Sequence, residues 1–300
     1  MSQLRSITIG QRTTTYRAAG EQGPVLLLIH GLASSSHTWE PVIDELGRTH
    51  CVIAPDLPGA GGSNNPGGDF SLGSQASCVR DLMVALDIDT ATFVGHSFGG
   101  GVAMQSVYQF PERCERLVLV SSGGLGREVA GLLRALSLPG AELGLAVGCA
   151  PQIVNAGYAI QRALRRVGLQ PTPSTRAVGR SYASLATGEA RTTLLRSLRA
   201  VVGVDGQRVS AHDRLHLAAL VPTMIVWGTR DRMIPVTHAY SAKDAIPGSR
   251  LELLEGAGHF PHHDQAGRFV EALNDFISET EPAALTGNEL RSLLDPVADG

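Results

Sequence analysis

Two hydrophobic rhythms alternate along the chain. Val25–Ile29, His50–Asp56, Thr92–Val94, Leu117–Val120 and Thr223–Trp227 are short apolar runs, several of them β-branched, which predicts buried strands at the centre of a parallel sheet. Between them, Thr38–Leu46, Leu72–Leu86 and Phe98–Phe110 carry apolar residues at helical spacing, as crossover helices require. Arg5–Ala18 alternates and leaves no room for a crossover, so an antiparallel hairpin at one sheet edge is expected. A further strand at Arg250–Leu254 and core helices near Pro235–Ala245 and Gln265–Thr280 complete an α/β pattern.

The rhythm breaks after Ser121-Ser122-Gly123-Gly124, and no buried strand is expected again before Val221. Leu125–Leu138, Glu142–Val147, Gln152–Val167, Thr175–Leu185 and Glu189–Val202 read instead as short helices separated by Gly and Pro. About ninety residues exceed an ordinary connection, so a helical cap is expected. Its apolar residues, including Leu132, Leu143 and Val147, are expected to pack mostly against neighbouring helices, with a subset lining a pocket. The division is then a core at 1–123 and 213–280, a cap at 124–212, and a tail at 281–300. Thr286 and Glu289 could cap a short helix in that tail, and disorder is the competing expectation.

Composition changes the picture little. The 300 residues are 43% hydrophobic and 18% charged with a net charge of −3, which fits a globular chain and gives no general electrostatic footprint for nucleic acid or anionic membrane. The 25 basic residues are 24 Arg and Lys243. Cys51, Cys78, Cys114 and Cys149 are scattered without metal-ligand spacing, so free thiols are expected. The opening segment lacks the apolar run of a signal peptide, so a cytoplasmic protein without stable membrane insertion is expected.

Chemistry concentrates in Thr92-Phe93-Val94-Gly95-His96-Ser97-Phe98-Gly99-Gly100-Gly101, a strand turning directly into a helix. Gly95 and Gly99 let the flanking chains approach, Ser97 protrudes from the turn, and the helix N-terminus at Phe98 offers backbone N–H groups to a developing oxyanion. A serine nucleophile needs an imidazole base held by a carboxylate. His259 lies in a glycine-softened loop beyond a strand, and Asp231 follows the strand ending at Trp227. His30-Gly31-Leu32-Ala33 follows the strongest apolar strand, so the Leu32 N–H is the second expected oxyanion donor, with His30 and Gly31 in support. His96 is expected to support the turn. His262 and His263 are expected at the surface or behind the site, Asp213 at a helix start after Ser210, and Asp264 solvated or capping the last helix. No HExxH or equivalent spacing indicates a metal.

In this order and context the chain resembles the α/β-hydrolase fold family, in its branch with a helical cap between the sixth and seventh core strands, over approximately residues 5 to 280. The resemblance implies a mostly parallel eight-stranded sheet, with Ser97 as elbow nucleophile, Asp231 as acid, His259 as base and HGLA as oxyanion loop. Pro55-Asp56-Leu57-Pro58-Gly59-Ala60-Gly61-Gly62-Ser63 is similar to the family's loop after the fourth strand. The resemblance implies hydrolysis of an apolar ester or thioester without cofactor or metal, by a monomer or homodimer. Carbon–carbon hydrolysis beside a ketone, cofactor-free haloperoxidase chemistry and a hydrolase-like ligand receptor are the alternatives. Serine at the elbow argues against the dehalogenases and epoxide hydrolases of this fold, which use aspartate there. Phe260 stands where carbon–carbon hydrolases commonly carry Trp, and Asp264 departs from the glutamate many relatives place near the end of the motif.

Overall fold

The computed structural model describes residues 1–166, 168, 170, 172–209, 211, 218 and 221–284. The expectations for Ser210, Asp213 and the residue 212/213 boundary, and for a helix in the tail from residue 286, lie outside the described residues.

Eight strands form one sheet: β1 (Gln3–Ile9), β2 (Arg12–Ala19), β3 (Val25–Ile29), β4 (Cys51–Pro55), β5 (Ala91–His96), β6 (Cys114–Val120), β9 (Thr223–Gly228) and β10 (Arg250–Leu254), in the order β1-β2-β4-β3-β5-β6-β9-β10. β7 (Val202–Gly203) and β8 (Gly206–Gln207) pair separately as a small antiparallel ribbon. The sequence pattern does not predict this ribbon, because two residues per strand give no periodicity. From β4 to β10 all pairings are parallel, and β2 runs antiparallel to both β1 and β4. β5 is buried along its whole length, as a strand flanked by parallel neighbours and covered on both faces must be.

One face of the sheet packs on α2 (Leu72–Ala85) and α3 (Phe98–Gln109), around Leu82, Met83, Phe93 and Val102. The other packs on α1 (Glu40–Leu46) and on α11 (Ala266–Glu279), which follows α9 (Thr237–Ala245) and the one-turn α10 (Pro261–Asp264); Trp39, Ile43, Phe269 and Leu273 form this second core. All four cysteines are unbridged.

Between β6 and β7 the chain inserts α4 (Gly131–Ser137), α5 (Ala141–Gly148), α6 (Pro151–Arg166), α7 (Pro173–Ser184) and α8 (Gly188–Val201). α4 starts six residues later than the apolar pattern suggests. Leu125 is buried, but the backbone of residues 124–130 bonds outward instead of within a helix: the Arg127 carbonyl accepts from the Gln207 N–H and the Ala130 N–H donates to Met233. The insertion also departs from expectation in its packing. Leu132, Leu143 and Val147 are 70%, 75% and 66% exposed, and neither α4 nor α5 has a fully buried residue. Leu32 and Ala33, in the loop after β3, pack against a small cluster of Cys149, Leu185 and Leu194, which seats the insertion on that loop.

Candidate active site

The turn after β5 is built from close approaches. A Cβ at Gly95 would stand 2.3 Å from the Gly99 carbonyl oxygen, and one at Gly99 would stand 2.3 Å from the Ile29 carbonyl oxygen. Both contacts are with backbone and cannot relax cheaply, so these positions demand glycine. Ser97 itself adopts φ 56°, ψ −118°, a conformation costly for a side-chain-bearing residue and found where the surroundings over-determine it. They do so here: the Ser97 N–H donates to Val120, and the Ser97 carbonyl accepts from Gly100 and Gly123. α3 begins at Phe98, whose N–H is one of the first-turn donors without an intrahelical acceptor.

The loop after β3 passes directly over this turn. A Cβ at Gly31 would lie 3.0 Å from Ser97 Cβ and 3.2 Å from His96 Nδ1. The buried His30 fixes that loop: its Nδ1–H donates to the Gly31 carbonyl at 2.8 Å, and its Nε2 accepts from the Leu57 N–H at 2.9 Å. Burial holds the His30 pKa below its ordinary value, consistent with this neutral tautomer. Leu32 follows, half-buried against the inserted helices.

Asp231 and His259 meet. His259 Nδ1–H donates to Asp231 Oδ2 at 2.8 Å, with the Asp231 side chain fully buried and His259 6% exposed. The other carboxylate oxygen accepts from the Met233 N–H at 2.7 Å and the Ile234 N–H at 3.0 Å, so the carboxylate cannot rotate freely. With Nδ1 committed as a donor, His259 Nε2 carries the lone pair. The β9 end reaches the histidine loop because Gly228 lacks a side chain; a Cβ there would stand 2.2 Å from the Gly258 carbonyl oxygen.

His96 joins the serine turn to this loop. Its Nε2–H donates to the His259 carbonyl at 2.8 Å, and the two rings lie 4.9 Å apart, so the residue preceding Ser97 and the base loop are bonded across 163 positions. Of the two placements expected for His262 and His263, at the surface or behind the site, the structure has the second: both are buried, because the short α10 turns them inward. Centroids are 4.8 Å apart for His96–His262 and 4.7 Å for His262–His263, and Trp39 lies 4.5 Å from His262. The Thr38 hydroxyl meets the Nε2 atoms of His262 and His263 at 3.3 and 3.2 Å, so it donates to one ring while accepting from the other. Desolvation, reinforced by mutual imidazole repulsion, drives the His96 and His262 pKa values well below the ordinary one. Burial, with the Arg180 charge, lowers that of His263 to about 4. The three rings are therefore neutral near pH 7.

The placement of Asp264 is corrected. It neither caps α11 nor points freely to solvent: its carboxylate accepts from the Gly258 and Ser174 N–H groups at 2.8 Å each and from the Ser174 hydroxyl, fastening α7 to the histidine loop. Asp56, unassigned by sequence, accepts from the Ser36 N–H at 2.7 Å and the Gly62 N–H at 2.9 Å and shapes the loop after β4. Each carboxylate lies in a motif, but the sequence does not name its partners, which are brought in only by folding.

A cleft of about 850 Å³ opens between the loop at residues 33–38, the loop at 59–64, α7 and α8. His263 and Arg180 reach it together, Arg180 Nη2 lying 3.4 Å from His263 Nδ1. Ser97 and His259 are not among its walls; His263 links it to the imidazole cluster beside them. Among the described residues no group of His, Cys, Asp and Glu is arranged to hold a metal, and no helix is long and apolar enough to cross a membrane.

Known proteins share this architecture. An uncharacterized protein of Mycobacterium tuberculosis strain H37Rv is 43% identical over 308 residues, covering 97% of this chain and 86% of that protein. The 2-hydroxymuconate semialdehyde hydrolase of Pseudomonas sp. strain CF600 is 29% identical over 300 residues, covering 93% and 95%. Among solved structures, an N-acyl homoserine lactone degrading enzyme superposes with a TM-score of 0.70 at 25% identity, covering 91% of this chain and all of that one. The model of the alpha/beta hydrolase family matches residues 26–272, most of the chain, and the protein belongs to that family.

Proposed function

We propose that the protein is a serine hydrolase in which Ser97, His259 and Asp231 act as a triad on an apolar carboxylic ester or thioester. The observation that carries this reading is the buried Asp231–His259 pair at 2.8 Å, bonded through the His259 carbonyl to the residue beside Ser97. His259 Nε2 accepts the Ser97 hydroxyl proton as Oγ attacks the substrate carbonyl carbon. The Leu32 and Phe98 N–H groups stabilise the tetrahedral oxyanion. Collapse breaks the bond to the leaving group, which takes the proton from His259, and leaves an acyl-Ser97. His259 then takes a proton from water, the hydroxide oxygen attacks the acyl carbon, and the acid departs as the proton returns to Ser97. Gly31, Gly95 and Gly99 hold the loops close enough for this geometry, and residues 124–212 act as a cap.

The lactone-degrading structural neighbour supports the ester reading, because a lactone is a cyclic ester. Carbon–carbon hydrolysis is the second reading. The semialdehyde hydrolase relative favours it.

Fluorophosphonate labelling followed by peptide mapping tests the nucleophile. Modification at Ser97, abolished in Ser97→Ala with the fold retained, is expected, and a folded wild-type protein that never labels would overturn the assignment. Turnover of short-chain esters against a ring-fission dienoate separates the two chemistries.

A further inference from the structure

The chain's net charge of −3 conceals a division. Residues 124–212 hold eleven arginines and four carboxylates (Glu128, Glu142, Glu189 and Asp205), a net of +7, which leaves −10 for the rest of the chain. The same inserted segment holds most of the large apolar side chains that the fold leaves exposed. Leu143 and Val147 stand one turn apart on α5, a helix whose single charged residue, Glu142, is occupied by Arg199. α4 contacts α5 and adds Leu132. The Tyr182 hydroxyl donates to the Gly148 carbonyl at the end of α5, which brings the exposed Val178 and Tyr182 edge of α7 beside Val147. Arg162 and Arg166, one turn apart on α6, are exposed as well.

We infer that the α4–α7 face of the insertion is a docking surface for an anionic lipid interface, into which Leu132, Leu143 and Val147 insert while the arginines meet the headgroups. Surface-bound helices combine these features: apolar side chains that enter the acyl boundary and a surplus of positive charge above it. Charge distinguishes this occupant from a second copy of the chain, because a two-fold pairing through this face would press two +7 segments together. The docking is peripheral, since no described helix can span a bilayer. It goes beyond the proposed hydrolysis and does not depend on it.

Cosedimentation of the full chain with vesicles of phosphatidylcholine containing one-third phosphatidylglycerol, against vesicles of phosphatidylcholine alone, is the test. Binding should be at least tenfold stronger to the anionic vesicles and should weaken on raising the salt from 50 to 500 mM, each arginine near the surface contributing about fivefold. Leu143→Asp with Val147→Asp should weaken it by more than tenfold at an unchanged melting temperature, because both positions are already in water. Ser97→Ala should bind as wild type, which separates this inference from the fate of the catalytic reading. Absence of binding, equal binding to both vesicles, or full binding by the double variant would overturn the inference. So would a dimer, seen by sedimentation velocity, that the double variant dissociates while vesicles capture nothing.

Discussion

Lowering the pH from 7 towards 4 should unfold this protein far more steeply than its surface carboxylates alone would require. His96 and His262 are buried neutral with pKa values well below the ordinary one, and that of His263 lies at about 4. In the unfolded chain each returns to about 6.5. A depressed folded-state value means that the stabilisation is whole above pH 6.5 and is lost as the pH falls towards the folded value, because the unfolded chain binds the proton first. Each such site costs about 1.4 kcal/mol per pH unit within that window, so His263 alone accounts for roughly 3 kcal/mol between its two values. Three sites together reach about 4 kcal/mol per unit near pH 5, a large share of the 5–15 kcal/mol of a typical domain. His30 and His50 shift the same way and steepen the fall. Urea midpoints collected every half unit from pH 7.5 to 4.5 give the number of linked protons. At least two are expected near pH 5. His263→Gln retains a polar group opposite the Thr38 hydroxyl and should remove about one of them. A midpoint that stays flat from pH 6.5 to 5, or a slope that His263→Gln leaves untouched, would refute the reasoning.

Gly99→Ala forces a Cβ against the Ile29 and His30 carbonyl oxygens at 2.3 and 2.6 Å, so a loss of about 3 kcal/mol or more is expected; a melting temperature within a degree of wild type would contradict it. Asp264→Ala strips three donors of their acceptor and should cost about 1–3 kcal/mol while accelerating amide exchange in α7, where unchanged exchange would show that the tether is immaterial. Asp231→Asn keeps an oxygen for the Met233 and Ile234 N–H groups but turns an amide N–H towards His259, favouring the wrong imidazole tautomer; turnover of an ester substrate should fall by about 10⁴, and a loss below tenfold would remove Asp231 from the mechanism.

How much of this was legible before folding depended on whether the determining contacts were local. β3 and β10 match the apolar runs at their ends, and β5 followed by α3 was visible because the strand, the glycines and the helix are contiguous. Asp231 and His259 could be nominated because each follows a recognisable strand, yet their bond spans 28 residues and belongs to tertiary structure. The inward turn of His262 and His263 was legible only as one of two alternatives, since two consecutive polar residues near a proline carry no signal that decides between surface and interior. The start of α4 was misread for the opposite reason: Leu125 is buried by a strap that satisfies its backbone through Met233 and Gln207 rather than by a helix. Leu132, Leu143 and Val147 show the limit of equating apolar with interior, because a helix at the periphery has no neighbour to cover its outer side.

The insertion leaves the sheet at the end of β6 and returns at β9, and these are adjacent strands, with Leu117 paired to Thr223 and Val120 to Val226. The two strands are parallel, so the insertion leaves at the carboxyl end of β6 and must cross back to re-enter at the amino end of β9, three residues or about 10 Å along the strand from where it left. Its length and helix count can change over evolutionary time without disturbing a single register in the sheet. The sheet order and its pairings set where the insertion departs and returns, and its helices are free to vary between those two points.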